Sequence, residues 1–198
     1  LIFEEINHDL SLAHRTAWRT GDRFGFIRTC WLLNNGDDAC QIDLLDGLQN
    51  LLPYGATVAL QTTMSSLLHA YKRNEVNPAT GLGTFALSAT LTDRAEPSES
   101  LQSTVAWQVG LEDARHLLCT DQVNDFRYGD SLAPEYDIRG KAGAYLVNTS
   151  FALAPGEQKE WHVVADVNQD SATVAQLARF LKQDQAAIER QIEKDISQ

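Results

Sequence analysis

The strongest constraint on this chain is its punctuation: short aromatic and β-branched runs, each stopped by a turn before it could make a long helix. The run Phe24-Gly25-Phe26-Ile27-Arg28-Thr29-Cys30-Trp31-Leu32-Leu33 ends at Asn34-Asn35-Gly36-Asp37-Asp38. Asn-Gly supplies the positive φ angles of a type I′ turn, so residues 39–45 are expected to pair back as a hairpin. Further strands are expected at residues 56–61, 83–92, 101–109, 142–152 and 158–167. The last two are joined by Leu153-Ala154-Pro155-Gly156-Glu157, whose Pro-Gly centre suits a turn. In the second of them Trp161, Val163 and Ala165 share one face, and His162, Val164 and Asp166 the other. That second face is half apolar, so both sides are expected to be covered. The fold class that follows is mainly β, an antiparallel sandwich with large sheets.

Two stretches carry helical spacing instead. Met64, Leu67, Leu68 and Tyr71 predict a short helix near 63–72. Val174, Leu177, Leu181, Ile188, Ile192 and Ile196 predict one long helix near 172–196, about 36 Å at 1.5 Å per residue, capped by Asp170 or Ser171. Its apolar stripe needs a partner surface, either the sandwich face or a following domain. Residues 1–170 are therefore read as a β-sandwich domain and 171–198 as a linker helix towards a domain outside this chain. The abrupt opening, Leu1-Ile2-Phe3-Glu4, reads as a piece of a longer polypeptide.

The 198 residues suit one large domain, since a domain averages roughly 150. An apolar share of 43% with 22% charged residues rules out a disordered chain. The net charge of −11 opposes phosphate backbones and anionic lipid, so neither nucleic acid nor a membrane surface is an expected partner. Residues 47–71 are poor in charge but broken by Pro53 and Gly55, which excludes a membrane helix there. Three cysteines without CxxC spacing make neither a disulfide framework nor a zinc ribbon, and lean the reading towards the cytoplasm. No cofactor or metal motif stands out: the run from Asp166 resembles a calcium loop but has Leu177 where the bidentate Glu belongs.

Among polar groups the densest cluster is His69, Lys72, Arg73 and Glu75, with Arg94 and Glu96 further on. It offers planar donors and carboxylates beside Tyr71, the equipment that binds sugar hydroxyls. The competing reading is an ion-paired network that holds the fold together. Acid–base pairs of the kind an aldose epimerase uses would be His69 with Glu75 or His116 with Glu135. Trp31, Trp107 and Trp161 are expected in the core, and Trp18 at the surface. Asp46, Gln49 and Asn50, in the run Leu44 to Gly55, are expected to satisfy backbone or to face a ligand.

The segments Asp22 to Thr29, Asn34-Asn35-Gly36 and Leu44-Leu45-Asp46-Gly47-Leu48-Gln49-Asn50-Leu51-Leu52-Pro53 together resemble the amino-terminal β-domain of cellobiose-phosphorylase-like proteins, the glycoside hydrolase family 94-like and glycosyltransferase 36-like group. Phe151 to Glu157, then Trp161-His162-Val163-Val164-Ala165-Asp166-Val167, is similar to the last strands of that domain. The resemblance implies a super-sandwich of the galactose-mutarotase-like type, followed by linker helices and an (α/α)6 barrel that holds the catalytic carboxylate. It carries no catalytic residue onto this chain and implies that this piece is inactive alone. The β-domain would shape the substrate cleft and make domain contacts or homo-oligomer contacts. A stand-alone sugar-binding or epimerase-like module, and a purely structural or oligomerisation module, are the alternatives.

Overall fold

The computed structural model describes residues 1–89 and 101–197. Eleven strands form two antiparallel sheets among the described residues. The eight-stranded sheet contains β1 (Ile2–Asn7), β2 (Leu12–Gly21), β3 (Gly25–Asn34), β11 (Gln158–Asp170), β7 (Gln102–Val109), β6 (Leu82–Leu87), β5 (Lys72–Asn77) and β9 (Asp137–Arg139), in that spatial order. The three-stranded sheet is β4 (Cys40–Leu51), β10 (Gly143–Leu153) and β8 (Arg115–Leu117). The chain is thus mainly β, an antiparallel sandwich with a few short helices.

Alternation builds the layer between the sheets. Cys30 and Leu32 of β3, Trp161, Val163 and Ala165 of β11, and Phe85 of β6 meet Tyr145, Val147 and Leu153 of β10. Ile42, Leu44 and Leu48 of β4 pack onto the same core. The opposite face of the large sheet is also covered. Ile27, Trp107, Val109 and Val164 lie under α4 (Ser171–Phe180) and α5 (Gln185–Ile196), which contribute Phe180, Ile188 and Ile192. The C-terminal stripe therefore finds its apolar partner on the sandwich itself. Asp170 caps α4, accepting from Thr173 N at 2.7 Å.

Several expectations change. The single helix over 172–196 is two, because the chain turns at 181–184 and restarts from Asp184 in an extended conformation. The break lets Phe180 and Ile188 both reach the sheet. Residues 56–61 are no strand: Thr57 caps α1 (Val58–Thr63), accepting from Leu60 N at 3.1 Å. The helix near 63–72 is α2 (Ser65–Tyr71). No hairpin forms at Asn34-Asn35-Gly36. β2 and β11 occupy both edges of β3, so β4 crosses to the other sheet and pairs with β10. Asn34 bridges the crossing, donating to the carbonyls of Asp38, Leu153 and Ala154. The strands at 142–152 and 158–167 likewise belong to different sheets, so Pro155-Gly156 carries the chain between layers. The strand at 101–109 appears as β7 and the one at 83–92 as β6, which ends at Leu87; residues 90–92 lie outside the described residues. Residues 121–141 hold α3 (Val123–Tyr128) and β9. β1 and β2 carry no strand expectation, since their alternation is diluted by charged residues. No helix among the described residues is long and apolar enough to cross a membrane.

Candidate functional site

The cluster singled out in the sequence is split by the fold. Lys72 and Arg73 are neighbours on β5 and so point to opposite faces. Lys72 is 2% exposed, and its Nζ donates to Gln61 Oε1 at 2.5 Å. Burial pushes its amine below the ordinary lysine value. The Gln61 amide then faces His69 Nε2 at 3.3 Å, which leaves the proton on Nδ1, a buried atom without a partner. Burial, then the Lys72 charge, lowers the His69 imidazole. His69 lines an open hollow of about 510 Å³ with Ser66, Cys119, Thr120, Asp121 and Lys141.

Arg73 and Glu75 lie outside that hollow. Arg73 pairs with Glu75 at 2.8 Å and with Asp137 at 3.3 Å, and Arg139 joins Asp137 at 3.1 Å. These half-exposed pairs stitch β5 to β9 at the sheet edge. Arg94 and Glu96 lie outside the described residues. The Glu135 carboxylate is spent on fold: it accepts from Leu118 N at 2.6 Å, Cys119 N at 3.1 Å and Gln122 Nε2 at 2.9 Å. His116 touches it only through backbone, its carbonyl accepting from Glu135 N. Its imidazole packs on Tyr145 with ring centroids 5.5 Å apart.

A second constellation stands on the inward face of β1–β2–β3. Trp18 and Arg28 are direct cross-strand partners, as are Thr16 and Cys30, Thr20 and Phe26, and Phe3 and Thr16. Their side chains therefore share one face. It is the face that buries Cys30, Trp161 and Val163 further in. At its outer end the small sheet no longer covers it: Phe3 is 53%, Trp18 41% and Phe26 55% exposed. The result is a shelf with aromatic residues along its open part and polar groups along its inner wall.

Asp46 of β4 forms that wall. Its Oδ2 accepts from Arg28 Nη2 at 2.6 Å and from Trp161 Nε1 at 2.7 Å. Neither bond uses Oδ1. The guanidinium of Arg28 lies 5.7 Å from the Trp18 ring centre, a cation–π contact that orients the indole. His14 stacks on Trp161 with centroids 6.1 Å apart, and Thr16 Oγ1 is 3.5 Å from its Nε2. Burial lowers the His14 imidazole below its ordinary value, against smaller opposing effects of Asp46 and Glu5. At neutral pH it is an uncharged donor–acceptor.

Asp46 thus satisfies side chains rather than backbone. The sequence did carry a signal for this pair. Asp46 interrupts the inward series Ile42-Leu44-Leu48, and Arg28 sits between Phe26 and Cys30 on the inward series of β3. Two opposite charges at inward positions must be paired. Trp18 is exposed as expected and Trp107 and Trp161 are buried, but Trp31 is only half-buried, beneath the Arg19 guanidinium at 5.9 Å.

No protein-family model matches the chain, and no curated protein matches it.

Proposed function

We propose that this chain is the non-catalytic β-sandwich domain of a larger carbohydrate-active enzyme, a cytoplasmic glycoside phosphorylase or hydrolase of the cellobiose-phosphorylase-like type. In that reading the sandwich is of the galactose-mutarotase kind. It shapes the substrate cleft, and the catalytic carboxylate belongs to a helical (α/α)6 domain of the same polypeptide. The observation that carries the reading is the inward shelf, where exposed aromatic residues adjoin an oriented Arg28–Asp46 pair and a neutral imidazole. Flat apolar surface beside fixed planar hydrogen-bonding groups is what a pyranose ring requires. The acidic charge agrees with a neutral, hydroxyl-rich substrate better than with a polyanion.

The test is the coding frame past Gln198, followed by assay of its product. A long helical-repeat segment should follow, and the full protein should cleave a disaccharide with phosphate or water while the 198-residue piece does not. A frame that stops near Gln198, or a piece that turns over disaccharide alone, overturns the reading.

A further inference from the structure

The shelf has more structure than a cleft wall needs. Its open part is a surface of Trp18 and Phe26 from the β2–β3 hairpin and Phe3 from β1. These side chains stay about half exposed although the chain has apolar cover elsewhere: the other face of the same strands buries Ala13 and Ala17, and packs Ile27 in the cluster formed with α4 and α5. Large exposed aromatic side chains on one face of a sheet mark a contact site. The polar groups say what is contacted. Asp46 Oδ1 takes no part in the bonds to Arg28 and Trp161, and the side chain keeps 16% of its exposure. His14 keeps Nδ1 clear of the Thr16 contact. An acceptor oxygen and an imidazole nitrogen therefore stand at the inner end of an aromatic platform.

We infer that this shelf is a saccharide-binding site of the domain itself, in which the apolar face of a pyranose ring lies on Trp18 while its hydroxyls bond Asp46 Oδ1 and His14. The inference rests on the proposed carbohydrate function and assigns to this chain a ligand contact independent of the catalytic domain. Arg28 is a positioning residue: its guanidinium fixes Trp18 from one side and Asp46 from the other. The acidic charge of the chain favours uncharged saccharides over anionic sugars and sugar phosphates. An uncharged oligosaccharide is favoured over a single ring, because Phe26 and Phe3 extend the platform beyond Trp18. No bond is made or broken in the complex.

Titration of the 198-residue chain with glucose, cellobiose, maltose, cellohexaose and maltohexaose tests this, read by tryptophan fluorescence and calorimetry. Saturable binding of at least one hexasaccharide is expected, more tightly than glucose, with Trp18 protected from acrylamide quenching. Trp18→Ala should weaken binding by about tenfold or more, and Phe26→Ala less. Both side chains are exposed, so the melting temperature should hold, and Trp18→Phe should recover part of the loss. Absence of saturable binding to all five sugars overturns the inference, as does Trp18→Ala binding as wild type. So does light scattering that shows the shelf closed by a second copy of the chain and opened by Trp18→Ala. A helical domain encoded past Gln198 together with a chain that binds no saccharide removes this site and leaves the proposed function standing. Binding without such a domain does the reverse.

Discussion

Asp46 and Arg28 are charged residues in a largely apolar layer, and each is tolerated only because of the other. The carboxylate also accepts the Trp161 indole N–H, so one oxygen holds both an ion pair and a buried ring. Asp46→Ala leaves a partly buried guanidinium and an indole donor unpaired. It should cost about 2–4 kcal/mol in denaturant unfolding, less than a fully buried pair because both side chains keep some exposure. Asp46→Asn keeps an acceptor for Trp161 and should cost less. Equal stability of wild type and Asp46→Ala would show that the pair does not hold the layer. The cysteines are ordered by their surroundings too. Burial, then the Asp46 charge, pushes the Cys30 thiol up to about 12. Burial pushes Cys119 up to about 11, with Glu135 adding to it. Cys40 is half-buried at the start of β4. A disulfide reagent at pH 8 should therefore label one thiol quickly in the folded chain and all three only after denaturation.

At the scale of elements, the β2–β3 hairpin is the joint between site and scaffold. It displays Trp18 and Phe26 on one face and is fastened on the other by α5. Asp195, buried near the end of that helix, accepts from Arg23 N at 3.1 Å and Phe24 N at 3.0 Å. Arg23 then lies over the rings of Phe24 and Phe180, 4.7 and 4.9 Å from their centres. Gly21 leaves room for this latch: a Cβ there would fall 1.9 Å from Asp195 Oδ2 and push the carboxylate off the turn amides. Asp195→Ala should cost about 1–3 kcal/mol, the penalty for leaving turn amides without their acceptor. Gly21→Ala should act on the same latch, and the double variant should lose less than the sum of the two. Strict additivity in that cycle would separate the glycine from the helix. None of this latch is legible from spacing. Asp195 falls at a polar-looking position of an amphipathic helix, and its partners lie more than 170 residues away.

For the whole molecule, burial has placed four of the five histidines below their ordinary value of 6.5: His14, His69, His116 and His162. His162 is the deepest in the large sheet, bonded to Thr29 Oγ1 at 3.0 Å. Glu160 stands 3.6 Å from its other nitrogen, and Glu189 and Glu193 of α5 and Arg19 of β2 bear on it. Below pH about 6.5 the unfolded chain binds more protons than the folded one. Stability should therefore be full above neutrality and fall as the pH drops from 7.5 to 5.5. His162→Gln should flatten that slope, and a slope of the opposite sign would show that the acidic groups of α5 outweigh burial. The sequence by itself determined the class of this protein. Alternation with frequent turns compels antiparallel strands, and an apolar stripe at helical spacing compels amphipathic helix at the C-terminus, though not its break at 181–184, because both periods follow from backbone geometry. It also pointed to Trp18 at the surface and narrowed the cap to Asp170 or Ser171, which are local matters; the structure takes Asp170. Only the tertiary structure decided which strands pair. Turn chemistry at Asn35-Gly36 favours a hairpin, but the edges of β3 are already filled by β2 and β11, and a filled edge has no free donors. The pleat of β5 parted Lys72 from Arg73, and the stacking of the two sheets brought Asp46 to Arg28. Strand partnership is a competition among all segments of the chain, and its outcome is not written in any one of them.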